Sequence, residues 1–200
     1  MHNTTIQNAT IIKPSQFTSM PWRNGLGSTT ELIRRDLPGG DDFAWRLSMA
    51  SVVESGPFSN FSGYDRTLVL LKGTGMTLSY DDSDSDLNIL DQPLQMAQFE
   101  GGCPTRARLH DGPIEDFNIM TRSSVCRAQT TCGSSESPVS VTTSAEALLV
   151  FSVSGELDIN CNQISSVSAP AGALVVIEPP AKGLYAIAGA AFIVVEILTH

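Results

Sequence analysis

The stretch "DFNIMTR", residues 116 to 122, carries the chain's most specific cluster of chemistry-bearing side chains. Read as a strand, it alternates faces. Phe117, Ile119 and Thr121 fall on one side and suit a core, whereas Asp116, Asn118, Met120 and Arg122 fall on the other. An acid, an amide, a thioether and a guanidinium on one face could grip a small anion if Arg122 met further cations in a shared cavity, with a carboxylate held bidentately. Arg46, in "FAWRLSMASV", and Arg66, after the aromatic loop "ESGPFSNFSGYDRTL", are the candidate partners. Arg106 and Arg108 lie just upstream of the 116–122 stretch.

Other chemistries are poorly supplied. The chain has only His2, His110 and His200, two of them at termini, with no pair at ligand spacing, so a histidine-built metal centre is not expected and no cofactor is called for. There is no G-x-S-x-G, and His110 in "RLHDGP" reads as a turn residue rather than a base. "YDDSDSDLNILD" has acids at 82, 84 and 86, but a calcium loop would want Gly and Glu where Leu87 and Pro93 stand; a solvated acidic hairpin loop is the better reading. In "MPWRNGLGSTTELI" the third glycine of a dinucleotide fingerprint is replaced by Thr30, and no helix pattern follows. A tight turn anchored by Trp22 is the plainer reading there; the functional one aims backbone amides and the Asn24 side chain at a ligand.

The elements that must position these residues are strands. The 200 residues are 42% hydrophobic and only 16% charged, and 16 Gly and 11 Pro punctuate them at short intervals, which favours many short strands over helices. An all-β sandwich or barrel follows. "LVLLKGTGMTLSY…PLQMAQFEGG…DFNIM" and "LLVFSVSGELDIN…AGALVVIEPP…AFIVV" share an order of strand, Gly turn, strand, Pro/Gly, strand; Gly75 and Gly155 are 80 positions apart, Pro93 and Pro170 77 apart. A duplicated small β-barrel would show such a repeat. Residues 1–127 are expected to form the first barrel, with the ligand pocket, and 128–200 the second, with the Ser-rich "CGSSESPVS" at 132 to 140 as the joint.

A net charge of −9 and pI near 4.6 argue against the concentrated basic face that nucleic acid or an anionic membrane demands, and no such face is evident in the sequence. All nine arginines lie at or before Arg127, so an anion site belongs to the first half. The start shows no secretion signal and no apolar run reaches the roughly 18 residues of a membrane span, so a cytoplasmic protein is expected. Four cysteines without a C-x-x-C pair favour reduced thiols, a Cys126–Cys132 bridge remaining the alternative in an oxidising compartment.

In order and spacing, "PWRNGLGSTTELIRRD", "FAWRLSMASVVESGPFSNFSGYDRTLVLLKGTGMTL" and "FEGGCPTRARLHDGPIEDFNIMTR" resemble the three signature blocks of the HutD/Ves family, over roughly residues 10 to 125. The resemblance implies a bicupin, two cupin-like β-barrels in one chain, and a bacterial cytoplasmic protein associated in some members with control of histidine catabolism, with a small carboxylate as ligand. The matching blocks carry over to Trp22, Asn24, Gly25, Gly27 and Thr29; to Trp45, Arg46 and Ser48; to Phe58, Phe61, Gly63, Asp65 and Arg66; and to Asp116, Asn118, Met120 and Arg122. Two departures stand out: Leu26 interrupts the family's glycine run, and Ser123 follows Arg122 where a second arginine is common.

Three classes of function are therefore open. The leading expectation is a metal-independent binding protein for a small anionic metabolite such as formate, urocanate or N-formylglutamate, with a regulatory role in histidine utilisation. In it Arg46, Arg66 and Arg122 supply charge, while Asn24, Ser48 and Asn118 supply hydrogen bonds. The alternative is a metal-free isomerase or lyase on a small organic acid, with Asp116 or Asp65 as base. A protein-binding module, with a homodimer as one form, is the third.

Overall fold

A computed structural model describes residues 4–22, 25, 27–40, 42–81 and 87–200. Asn24 and the acids at 82, 84 and 86 lie outside the described residues. The fold is nearly all-β, with a single 3-10 turn at Pro14–Gln16 among the described residues. Two short strands open the chain, β1 (Thr4–Thr5) and β2 (Ala9–Ile12). Ten follow: β3 (Thr18–Pro21), β4 (Gly27–Asp36), β5 (Phe43–Val52), β6 (Gly56–Pro57), β7 (Tyr64–Lys72), β8 (Met76–Tyr80), β9 (Leu87–Leu90), β10 (Met96–Glu100), β11 (Thr105–Leu109) and β12 (Ile114–Arg122). The last six are β13 (Cys126–Ser134), β14 (Val139–Thr142), β15 (Ala147–Cys161), β16 (Ser165–Ala169), β17 (Leu174–Ile177) and β18 (Leu184–Thr199).

The chain divides into two compact units, Phe17–Cys126 and Arg127–His200 joined by the residues up to Gln16. Strands β1 and β2, expected with the first half, pair instead with β16 and β17. The reason is local: Ile6 and Ile11 have apolar partners around Val175 and Ile177 there. The Ser-rich stretch expected as the joint is instead a tight turn within the C-terminal unit, between β13 and β14, which both pair with β18; there the Ser134 amide donates to the Ser137 carbonyl at 3.1 Å.

The N-terminal unit has a six-stranded sheet, β10-β7-β12-β5-β4-β3, and a four-stranded one, β6-β11-β8-β9. Central strands β12, β7 and β5 are buried on both faces, which explains why Phe117 and Ile119 are enclosed as fully as Asn118 and Met120. Ala50, Leu68 and Leu70 of the larger sheet meet Met76 and Leu78 of the smaller in one apolar cluster. Cys126 is a thiol donating to the Ala44 carbonyl at 3.3 Å, so the bridge to Cys132 is not formed.

The C-terminal unit is an eight-stranded sheet built around β15 and β18, which pair along most of their length. "ALLVFSVSGELDIN", read above as two strands about a Gly turn, is one continuous strand. Gly155, at φ +71°, serves a bulge rather than a turn, and register shifts flank it between Ser152 and Leu157. A Cβ there would come within 2.8 Å of the Ala190 Cβ, so the bend also requires the missing side chain.

Candidate functional site

Antiparallel register decides which side chains meet. β12 lies between β5 and β7, with Asn118 opposite Ser48 and Leu68, and Met120 opposite Arg46 and Arg66. The polar face of "DFNIMTR" therefore points to the inside of the N-terminal unit, and Arg46, Ser48 and Arg66 point there with it. At one end of this interior the side chains are aliphatic; at the other they leave a cavity of about 500 Å³. Its polar wall is Arg46, Ser48, Arg66 and Asn118, with Thr29 from β4. Trp22, Phe58, Phe61 and Met120 supply much of the apolar wall, and none of the described lining residues is acidic.

The two arginines are held by aromatic rings and by single hydrogen bonds. Arg66, 8% exposed, lies 5.1 Å from the Phe58 ring centre, 5.7 Å from Phe61 and 5.0 Å from Phe99. Its Nη2 donates to Asn118 Oδ1 at 2.8 Å. Arg46 lies 5.2 Å from Phe43 and 5.6 Å from Phe61, and its Nη2 donates to Met120 Sδ at 3.5 Å. Phe61 thus touches both cations. Such contacts contribute up to about 2 kcal/mol each when desolvated, but a ring face cannot accept all five guanidinium donors. The Nε of each arginine is buried without a hydrogen-bond partner. Burial lowers the Arg66 pKa to about 10, Asp116 opposing the shift and Arg46 adding to it. Burial also lowers that of Arg46, against the pull of Glu31. Both stay cationic at neutral pH.

Asp116, 1% exposed, lies behind this wall: the Asn118 Nδ2 donates to its Oδ1. Burial raises its pKa to about 7, against the stabilising influence of Arg66 and of the Asn118 bond. Trp22 donates from Nε1 to Thr29 Oγ1 at 2.8 Å, and both residues line the cavity. The loop carrying Phe58 and Phe61 is tied down by backbone bonds from Phe58 to the Thr105 carbonyl at 2.8 Å and from Phe61 to the Gly101 carbonyl at 2.7 Å. Gly101 is required for this approach, since a Cβ would lie 2.6 Å from the Phe61 carbonyl oxygen.

Trp22, Thr29, Arg46, Ser48, Phe61, Arg66, Asn118 and Met120 are thus brought together as the sequence suggests. Several expected members are not among them. Trp45 sits one residue out of phase with Arg46, so it faces away from the cavity and is fully buried, with Arg35 5.7 Å from its ring. Asp65 is likewise out of phase with Arg66 and exposed, which removes it as a base for cavity chemistry. Arg122 shares a face with Met120 but, at the strand's end, turns to Asp42 at 3.4 Å and to the Tyr64 ring at 5.1 Å. The arginine site therefore rests on two guanidinium groups, not three. Gly25 occupies the exposed turn after Trp22, its amide donating to the Trp22 carbonyl at 3.1 Å. Arg106 and Arg108 are exposed on β11.

Pro57 and Ser59 line the cavity without having been singled out, beside Phe58, which the family blocks include. The only signal for them was the aromatic density of that loop. Among the described residues no three His, Cys, Asp or Glu side chains gather as a metal would require. Among the described residues no helix is long and apolar enough to cross a membrane.

Fold and cavity together define an all-β, cupin-like protein with an arginine-lined interior in its N-terminal unit. The HutD family profile matches residues 14–195, and the chain belongs to the HutD family. It is 33% identical over 150 residues to an uncharacterized 21.2 kDa protein of the hutC 3′ region in Pseudomonas putida, covering 75% of this chain and 76% of that one. With Protein Ves of Escherichia fergusonii it shares 41% identity over 109 residues, 54% of this chain and 55% of the relative. The solved structure of HutD from Pseudomonas fluorescens SBW25, formate condition, superposes with a TM-score of 0.82 at 29% identity over 96% of this chain and 99% of that one. Pirin YhhW of Escherichia coli shares the fold alone, with a TM-score of 0.61 at 11% identity over 96% of this chain and 99% of that one.

Proposed function

We propose that the N-terminal unit binds a small carboxylate metabolite without metal, in the cytoplasm, and that binding serves a regulatory role in histidine utilisation. One observation carries this reading: a buried guanidinium, Arg66, and a half-buried one, Arg46, each with a buried and unpartnered Nε, border a cavity whose described walls hold no acid. A buried cation with spare donors is costly unless an anion meets it. A carboxylate offers two coplanar acceptors, which suits the guanidinium fork. Thr29, Ser48 and Asn118 are in place to orient its remainder. A few charge-assisted bonds, each about 1.5–3 kcal/mol net, support micromolar to millimolar affinity. The formate condition of the Pseudomonas fluorescens structure and the hutC-region location of the Pseudomonas putida relative agree with this chemistry and this pathway. Formate, urocanate and N-formylglutamate are each expected to raise the melting temperature at millimolar concentration. Flat melting curves with all three would sink the reading.

A second reading takes as its base Asp116, a carboxyl that burial pushes up to about 7 and that Asn118 joins to the cavity wall. It makes the protein a metal-free isomerase or lyase on a small organic acid. Turnover of one of the three acids by chelator-treated protein would establish it; binding without turnover would exclude it.

A further inference from the structure

Asp116 is placed where a ligand-binding cavity needs no carboxylate. It does not line the cavity, yet a head-to-tail chain joins it to the wall: the Arg66 Nη2 donates to Asn118 Oδ1, and the Asn118 Nδ2 donates to Asp116 Oδ1. The amide of Asn118 has one orientation that satisfies both ends. Two neighbours along β12 are thereby locked to one guanidinium, at the point where the register with β7 shifts between Glu115 and Asp116. Such irregularities re-aim side chains. The cross-strand neighbours of Asp116, Ala50 on β5 and Leu70 on β7, carry no charge. The charged and titratable groups that bear on it are Arg66 directly and, through Arg66, Arg46 from β5 and Tyr80 from β8.

Without an anion in the cavity, the carboxylate that bears on Arg66 from behind the wall, among the described residues, is Asp116. An incoming carboxylate supplies a second one in front. Two anions then share one buried cation pair, and the one sealed away from water is the less well solvated. We propose that Asp116 is a positioning residue and the counter-charge of the arginine pair, and that it takes up one solvent proton when a small anion occupies the cavity. The proposal rests on the carboxylate-binding reading and adds to it a proton linkage. Its balance is simple: an aspartate and a proton become an aspartic acid, while the ligand stays ionised. The Asn118 bond survives, because a neutral carboxyl still accepts through its carbonyl oxygen. The carboxyl's raised pKa, about 7, puts the exchange in the neutral range. The sign follows from linkage: lower pH discharges Asp116 and strengthens anion binding, and higher pH weakens it.

Formate and N-formylglutamate serve as probes, with affinity read from thermal shifts and from the fluorescence of Trp22 at pH 6, 7 and 8. Affinity for the bound probe is expected to tighten about threefold to tenfold from pH 8 to pH 6, the size of a coupling of one pKa unit or less. In weakly buffered solution at pH 7, saturation should withdraw protons from the medium. Asp116→Asn mimics the discharged acid, so at pH 8 it should bind as the native protein does at pH 6 and withdraw no protons. Infrared difference spectra of the native protein need no variant: the carbonyl band of a protonated carboxylic acid should appear when the probe is added. Binding with equal affinity at all three pH values and without proton uptake would overturn the proton linkage alone. Absence of binding by either probe would overturn both this linkage and the binding reading beneath it.

Discussion

The two units use related strand order for opposite interiors. β15 is flanked by β17 and β18 as β7 is flanked by β10 and β12. In the C-terminal unit Val150 faces Val194, and the cluster around them runs through Leu148, Leu157, Ile159 and Phe192, all buried. In the N-terminal unit Leu68 faces Asn118, and Arg66 faces Met120. The C-terminal interior is thus filled by aliphatic and aromatic side chains, with Glu196, opposite Leu148, as its buried carboxyl. A buried guanidinium chained through an amide to a carboxyl is the N-terminal unit's departure from that pattern, of the kind expected at a functional site.

That contrast can be broken by mutation. Phe192→Ala, in the filled interior, should cause the largest change, a loss of about 3–5 kcal/mol in chemical denaturation, because the void it leaves cannot collapse. A much smaller loss would mean that the C-terminal interior is not tightly packed. Arg66→Met, made together with Asp116→Asn so that no buried charge is left unpaired, should weaken carboxylate binding by at least about tenfold while leaving the melting temperature unchanged or higher, since removing both charges of a buried pair is often neutral or stabilising. Severe destabilisation would show that Arg66 is a structural residue and erase the contrast. Asp65→Ala and Arg122→Ala should be the mildest, each within about 1 kcal/mol and without effect on the ligand response, since one is exposed and the other holds only a half-exposed ion pair.

The interior polarity was readable because strand alternation is strict: once 116–122 is a strand, Asp116, Asn118 and Met120 must share a face. The same rule separates Trp45 from Arg46 and Asp65 from Arg66, and it was overridden where whole motif blocks were carried over as a site. Arg122 obeyed the alternation, but no sequence pattern shows that Asp42 and Tyr64 wait at the strand's end. Gly155 was read as a turn because turns and bulges draw on the same left-handed backbone. β13, rich in Thr, Ser and Gly, offered too little hydrophobic periodicity to be seen. Pro57 and Ser59 reach the cavity through long-range anchoring that a single sequence does not encode.

That anchoring has a further consequence. Because the aromatic loop is fastened by main-chain bonds to 101–105, the wall it forms is set by the fold itself. On the proposed carboxylate-binding role, little ordering entropy would be spent on entry, so even a guest of very few atoms could hold its place there. A receptor framed in this way would select by size and charge rather than by closing around what it holds.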